Sequence, residues 1–211
     1  MKITRLFASI LAIATIVGGL PALGQNSSTF SLGMGFQYWD AKDADELDKD
    51  GFGGANLIAR FQPDEYLGID LRFGASGIWK DETYYVDGKK YETDISFTCC
   101  PVEAGLVLTL PLNDMCTLYG GPGVGYYYYD IDVETSRKHG HHYHRRWHDH
   151  IKLDDDFGWY AVAGLKVKLA RHFSLFGEAR YTDTETRIKD EDSEKFDCSG
   201  FGVQFGMMFD F

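Results

Sequence analysis

Six histidines are concentrated in one short segment of the sequence, and their side chains could bind a transition metal. They are His139, His141, His142, His144, His148 and His150. Neutral imidazole is a good ligand for Zn²⁺, Cu²⁺ and Ni²⁺. However, the spacing imposes no fixed ligand geometry, and basic residues are interleaved with the histidines: Arg137, Lys138, Arg145 and Arg146. We therefore predict a solvated cationic loop lying against anionic groups or acidic loops, and keep a specific metal site as the alternative.

A second group, His172, Ser174 and Glu178, contains the residue types of a hydrolytic triad. His172 belongs to a short polar connection, whereas Ser174 and Glu178 share one face of the predicted strand that follows. We therefore predict that Ser174 packs and that Glu178 pairs with Arg180, without catalysis.

Two further motifs fail on inspection. The stretch 46–51 has the acidic spacing of the first half of a calcium loop, but position twelve is Leu57, where a bidentate Glu is required. The glycine-rich stretch 120–125 lacks the Lys-Ser/Thr that follows the glycines of a phosphate loop. We predict no catalytic residue and no cofactor.

The N-terminal residues predict secretion. Lys2 and Arg5 precede an apolar run from Leu6 to Leu20, and small residues then allow cleavage after Gly24. The run is about 15 residues long, shorter than the roughly 20 needed for a membrane-spanning helix. The sequence therefore predicts a cleaved signal peptide over 1–24 and a single domain over 25–211.

Composition favours strands and excludes one class of partner. The chain of 211 residues has 24 Gly, only 5 Pro, 13 Tyr and 15 Phe, a mixture that suits strands. No segment after the leader is apolar enough for a membrane helix, so a membrane-spanning form would have to be a closed barrel. Without Lys2 and Arg5, 19 basic residues face 32 acidic ones, a net charge near −13. That charge argues against nucleic acid as a partner.

Alternating side chains predict eight strands. In the last strand, large apolar residues such as Phe201 and Phe205 alternate with small or polar residues such as Gly202 and Gly206. Strands are predicted near 29–40, 53–62, 66–79, 93–110, 116–133, 157–169, 173–184 and 199–211.

The connections between these strands are of two kinds. Those after strands two, four and six are short, whereas those after one, three, five and seven are long and polar. The connection after strand three contains Asp87-Gly88, which predicts a hairpin that extends its strand pair outward. The segment 134–155 is predicted to be the longest loop.

The second face of the strands suggests an enclosed interior. It carries a polar network: Arg60, Asp70, Arg72, Glu103, Lys166, Glu178, Arg180 and Gln204. These charges nearly balance although the chain is acidic, as expected where an unpaired buried charge is costly. Frequent glycines on this face suit an eight-stranded barrel, which is just wide enough for side chains to fill. A soluble lipocalin-type barrel is the competing interpretation.

Aromatic residues near the predicted strand ends favour a membrane barrel with interfacial girdles. They are Tyr38, Trp39, Trp79, Tyr126, Tyr128, Trp159, Phe173, Phe209 and Phe211. The fold predicted is all-β, an eight-stranded antiparallel up-and-down transmembrane β-barrel.

With its leader, eight alternating strands and final aromatic Phe211, the sequence resembles the small outer-membrane β-barrel family of diderm bacteria, the OmpA/OmpX-like group, over 30–211. The resemblance implies an outer-membrane location, periplasmic termini and short turns, and outward-facing long loops. It also implies recognition of the terminal strand by the barrel-assembly machinery. Unlike two-domain members of the group, this chain is expected to carry no peptidoglycan-binding domain after the barrel.

The four cysteines, Cys99, Cys100, Cys116 and Cys198, would meet an oxidising compartment. Cys116 is predicted too far away to pair, and a bond from Cys198 to Cys99 or Cys100 is left open.

The apolar residues Ile95 and Phe97 fall on the opposite face of the fourth strand from the apolar residues after Pro101, which predicts a bulge near 99–101.

Together these patterns predict a non-enzymatic integral outer-membrane protein whose role is structural or surface-interacting. Its environment is outer-membrane lipid, and the partner of its loops is unknown. Two alternatives of other classes are a small-solute or ion pore and a lipid-modifying barrel enzyme, such as a lipid A deacylase.

Overall fold

The computed structural model describes residues 29–43, 51–86, 89–139, 142–187 and 195–211. The predicted signal peptide, 1–24, lies outside this range. Within these residues the strands are β1 (Thr29–Ala41), β2 (Phe52–Gln62), β3 (Leu67–Val86), β4 (Lys89–Pro111), β5 (Cys116–His139), β6 (His142–Lys152), β7 (Asp156–Ala170), β8 (Phe173–Asp183), β9 (Glu185–Arg187), β10 (Lys195–Asp197) and β11 (Gly200–Asp210). No helix in the described part of the chain is long and apolar enough to cross a bilayer.

Eight of these strands form a closed ring. The hydrogen-bonded order is β4-β3-β2-β1-β11-β8-β7-β5, and β5 pairs again with β4 to close it. Every pairing is antiparallel, and the first strand meets the last through pairs such as Phe36 with Phe205. The predicted eight-stranded up-and-down barrel is therefore confirmed, and the final strand completes it by pairing with the first.

Side chains alternate between the two sides of the wall. Along β1 every second residue from Ser31 is buried and its neighbours are exposed. The exposed neighbours are large and apolar, including Met34 and Phe36, and Phe205 on β11 is 64% exposed. An apolar exterior around a polar interior is the pattern of a membrane barrel and the reverse of a soluble one.

The short connections are closed by side chains that bind the backbone. Asp64 Oδ1 accepts hydrogen bonds from the amides of Tyr66 and Leu67, both at 2.8 Å. Asn113 Oδ1 likewise accepts from Met115 and Cys116, at 2.9 and 2.8 Å. Asp and Asn favour tight turns for this reason, and both turns lie at the same end of the barrel.

Two hairpins continue beyond the wall at the opposite end. β3 and β4 remain paired out to Val86 and Lys89, which confirms the predicted extension. β5 exchanges its partner β7 for β6 beyond Tyr127. The resulting four strands, 78–86, 89–98, 130–139 and 142–152, are called the outer sheet below.

The prediction that 134–155 is an irregular loop is wrong for most of that segment, because it forms the end of β5 and all of β6. Thr135 continues the alternation of the β-branched residues Ile131 and Val133, which favours extension of β5 into this segment. β4 also supplies a paired edge along the whole of this part of β5, from Asp130 to Lys138. Tertiary pairing thus overrides the polar composition.

The bulge predicted at Cys99-Cys100-Pro101 is absent. The register of β4 with β3 is the same on both sides of Pro101, and its register with β5 is unbroken. Phe97, Cys99, Pro101 and Glu103 all face inward. The apparent change of parity arises because the interior itself changes from charged to apolar toward the outer sheet.

Candidate functional site

The middle of the barrel is filled by three arginines and three carboxylates from four strands. Arg60 on β2 and Asp70 on β3 form a two-point ion pair, with N–O distances of 2.7 and 2.9 Å. Arg72 Nη2 also donates to Asp70, at 2.8 Å. The register between β2 and β3 explains the first pair, because Arg60 lies directly opposite Asp70.

Arg72 also crosses the lumen to Glu178 on β8. Its Nη1 and Nη2 donate to the two carboxylate oxygens, at 2.6 and 2.9 Å. β3 and β8 are four strands apart in either direction around the ring, so this pair spans the barrel diameter. Tyr119 on β5 donates a further hydrogen bond to Glu178, at 2.8 Å.

A second crossing joins Arg180 on β8 to Glu103 on β4. Arg180 Nη1 donates to Glu103 at 2.9 Å, and its Nη2 donates to the other oxygen. Tyr127 donates to Glu103 at 2.8 Å. All six charged side chains are at least 94% buried, so mutual pairing is what makes their ionised state tolerable.

The predicted pairing of Glu178 with Arg180 is wrong. The two residues lie on the same strand, and Arg180 uses Nε to bind Thr182 while its other nitrogens reach Glu103. Glu178 is satisfied by Arg72 and Tyr119 instead. The stagger between strands determines which residue pairs with Glu178, because it places the middle of β3, with Arg72, at the same height in the barrel as Glu178.

Tyrosine rings separate the arginines, and glycines make room for them. The Arg180 guanidinium lies 4.6 Å from the centre of the Tyr160 ring, and Arg60 lies 4.2 Å from that of Tyr119. A side chain at Gly123 would collide with the Tyr160 ring. The alternation of residues identified the inward glycines. It did not predict which tyrosine rings they contact, because each glycine and its tyrosine lie on different strands.

Gln204, the last member of the predicted network, belongs to a cluster of amides beside the charged layer. Gln204 and Asn56 exchange two hydrogen bonds, each of 2.8 Å. Asn56 donates also to Gln37, at 3.2 Å. Asn56 and Gln37 also lie on inward faces, and the alternation of residues along their strands could have identified them.

Lys166 is the one predicted member that lies apart from the others. It is only partly buried, near the short-turn end, and its Nζ is 3.3 Å from Asp210. Asp210 also accepts hydrogen bonds from Ser31, at 2.6 Å, and from Ser174, at 3.1 Å. The charges in the middle of the barrel, within the described residues, are therefore three against three.

The same hydrogen bonds separate the residues that resemble a triad. Ser174 donates to Asp210, whereas His172 Nδ1 is 2.8 Å from the Asp210 backbone oxygen. Glu178 is engaged with Arg72 in the middle of the barrel. His172, Ser174 and Glu178 thus share no hydrogen bond with one another among the described contacts.

An apolar layer closes the interior on the outer-sheet side. Trp39 stacks on Phe52 with ring centres 4.9 Å apart, and Phe52 contacts Phe97 at 5.1 Å. Leu153, between β6 and β7, belongs to the same cluster, and Phe196 on β10 packs against it. The predicted place of Trp39 in the aromatic girdle is wrong: it is 3% exposed and faces inward, whereas Tyr38 beside it faces outward.

The histidine-rich segment falls largely at the tip of the outer sheet. His141 lies outside the described residues, and the backbone register places the segment: His139 pairs with His142, and His148 and His150 lie opposite Glu134 and Asp132. The solvated cationic segment stays a prediction, and metal binding by these side chains stays its alternative. Elsewhere in the described residues no group of three potential metal ligands occurs.

Comparison with known proteins agrees with this architecture. OprG from Pseudomonas aeruginosa is similar over 89% of this chain and 98% of its own, with 14% identity and a TM-score of 0.55. A major outer membrane protein from Thermus thermophilus is similar over 88% and 100%, with 12% identity and a TM-score of 0.50. These likenesses concern the fold alone, and no curated protein matches the sequence.

The family described as the outer membrane protein beta-barrel domain matches residues 10–209. The chain therefore belongs to this family, as a transmembrane β-barrel of the outer membrane.

Proposed function

We propose that this protein is a non-enzymatic outer-membrane barrel with a sealed interior, and that its outer sheet is the part that meets partners. In this arrangement the outer sheet faces outward, and both termini and the short turns face the periplasm. The residues before 25 act as a cleaved leader, and β11 with the Phe211 that follows it is the signal that the assembly machinery recognises.

The observation that carries the proposal is the double crossing of the lumen. Arg72–Glu178 and Arg180–Glu103 occupy the middle of the barrel, and the Trp39–Phe52–Phe97 cluster covers them. A conducting lumen would require continuous water through both layers. Eight strands leave little room for it once such large side chains are inside.

A catalytic role is less well supported by the same contacts. The buried carboxylates are held by arginines, and Ser174 donates its hydrogen bond to the Asp210 carboxylate, which Ser31 and Lys166 also engage. A nucleophilic serine is usually activated by a histidine, and Ser174 has no hydrogen bond to His172 among the described contacts. Lipid analysis of cells with and without the protein tests this point, and a changed lipid A acylation pattern would contradict it.

The outer sheet has features of an interaction surface. β6 pairs only with β5 among the described strands, so its other edge presents free backbone groups. Register places Arg137 directly opposite Arg145, and Ser136 opposite Arg146. Like charges opposite each other destabilise a hairpin unless an anion lies between or beside them. An anionic surface polymer is therefore the class of partner we propose.

Conductance of the purified protein in planar lipid bilayers tests the sealed interior. We expect no steady current from the wild-type protein. The double variant Glu103→Ser/Arg180→Ser removes one crossing while keeping the charge balance, and we expect it to conduct measurably. Heat-modifiable gel migration checks that both proteins are folded. A steady wild-type current would support the pore alternative instead.

The pore alternative has one observation in its favour. The short-turn end opens into a cavity of about 850 Å³ lined by polar residues, including Gln62, Thr109, Lys166 and Asp210. None of the six charged residues in the middle of the barrel lines it. The same recordings decide between the two functions, because a cavity that ends at the layer gives no current.

Binding of dextran sulfate, used as a model anionic polymer, tests the outer sheet. Protein in neutral nanodiscs should bind it in a salt-dependent manner, and replacement of Arg137, Lys138, Arg145 and Arg146 by Ser should remove binding. Replacement of Lys80 and Lys90 by Ser, on the other hairpin, is the control, and replacement of Arg145 and Arg146 alone removes the same number of charges from the β5–β6 tip. Equal binding by these two double variants would contradict the assignment to the β5–β6 tip.

A further inference from the structure

Two of the four cysteines meet inside the apolar layer. Cys99 on β4 and Cys198, two residues before β11, are both 0% exposed. They belong to the same buried cluster, and each is a neighbour of the Tyr129 side chain. Cys198 is held inward by a backbone hydrogen bond from its amide to Thr184, of 3.0 Å.

The other two thiols are in different surroundings. Cys100 follows Cys99 on the strand and therefore faces the opposite side, where its register partner Tyr128 is exposed to the exterior. Cys116 begins β5 and lies 13 positions before Tyr129, the register partner of Cys99. At about 3.3 Å per residue the distance along the strand is roughly 40 Å. Cys116 is thus at the far end of the barrel.

We propose that Cys99 and Cys198 form a disulfide in the mature protein. Each thiol loses its proton, one S–S bond forms, and two electrons and two protons pass to the disulfide of a thiol–disulfide oxidoreductase outside the cytoplasm, which becomes a dithiol. Both sulfurs are inaccessible in the closed barrel, so the exchange takes place before the barrel closes.

The bond has a structural consequence at the outer-sheet end of the barrel. β4 and β11 are four strands apart in either direction around the ring, so the bond crosses the diameter. It attaches the 195–199 segment, whose Phe196 contacts Phe97 at 5.4 Å, to the opposite wall. The apolar layer is then held closed by a covalent link. This inference does not depend on whether the outer sheet binds a partner.

The test uses protein extracted from its own membranes in the presence of an alkylating reagent under denaturing conditions. Mass spectrometry should find two alkylated cysteines before reduction and four after it. Non-reducing digestion should yield a peptide containing Cys99 and Cys100 linked to one containing Cys198. Four alkylated cysteines without reduction would overturn the proposal, whatever the behaviour of any variant.

Variants identify which of the adjacent cysteines is linked. The link should persist in Cys100→Ser and in Cys116→Ser, and it should be lost in Cys99→Ser and in Cys198→Ser. Persistence of a linked Cys198 in Cys99→Ser, together with loss in Cys100→Ser, would assign the bond to the outward thiol and contradict the proposal.

Discussion

Arg72 and Glu178 form a two-point ion pair across the full diameter of the barrel, with N–O distances of 2.6 and 2.9 Å. They are 106 residues apart in sequence and are joined by no shared strand pairing. A pair of this kind connects opposite walls that the backbone ladder connects only around the circumference. Its contribution to stability is therefore separable from that of the ladder.

Breaking this pair should destabilise the barrel strongly. Arg72→Met leaves a buried carboxylate without its cation, and Glu178→Leu leaves Arg72 with Asp70 alone. We expect each to lower the free energy of unfolding by about 3–5 kcal/mol, and the double variant to recover at least half of that loss. Urea titration in lipid vesicles measures these changes in the free energy of unfolding.

The partly exposed pair Lys80–Glu82 on the outer sheet provides the control. Glu82→Gln should change the free energy of unfolding by no more than about 1 kcal/mol. If Arg72→Met and Glu178→Leu behaved like this control, the lumen network would contribute nothing to stability.

Gly123 should be intolerant of even one methyl group. In Gly123→Ala the new Cβ would collide with the Tyr160 ring. Overpacking of this kind costs about 1–3 kcal/mol. Gly177→Ala is the matched control, because nothing lies within 4 Å of a Cβ there. Urea midpoints of both variants decide, and the cost should fall in a Tyr160→Ala background.

A charge on the outward face of the wall should lower the free energy of unfolding only where that face lies within the bilayer. Phe205 lies in the middle of β11, is 64% exposed and contacts Phe36 on β1. Phe205→Arg places a cation against the middle of the bilayer, at a cost of about 2–4 kcal/mol. Tyr85→Arg, at a side chain 70% exposed on the outer sheet, should be close to neutral. Equal costs for the two variants would contradict the membrane position of the wall.

Acid should weaken the hydrogen bonds that the Asp197 carboxylate accepts in the segment before β11, which lies outside the membrane-spanning wall. Partial burial raises the pKa of Asp197, but hydrogen bonds from Ser199 and Lys42 outweigh it and hold the pKa below its usual value of 3.8. A lowered folded-state pKa means that the contribution to stability is present above pH 3.8 and is lost as the pH falls through the folded-state value.

Hydrogen exchange can follow this loss at single amides. The Ser199 amide donates to the Asp197 carboxylate, at 2.9 Å, and should lose protection relative to its intrinsic exchange rate in acid. The Cys198 amide donates to a backbone oxygen, at 3.0 Å, and should keep its protection over the same range. Parallel loss at both amides would indicate unfolding of the whole segment instead.

Much of the wall was predictable from sequence because a strand can direct a side chain to only two sides. Alternation in Phe201–Asp210 identified both faces of the last strand, and short turns at Asp64 and Asn113 identified one end of the barrel. Pattern reasoning failed where pairing overrode composition, as in β6, and where the interior changed character, as at Phe97. In both cases the deciding contact comes from another strand.

The sequence by itself determined the number of strands in the wall, their inward and outward faces, and a nearly balanced set of inward charges. Only the tertiary structure decided which charges meet: Glu178 binds Arg72 across the lumen, while Arg180 binds Glu103. It also placed Cys198 and Cys99 in one buried cluster and Trp39 inside the barrel. Partners across a lumen depend on the stagger of all eight strands, and the alternation within one strand carries no record of that stagger.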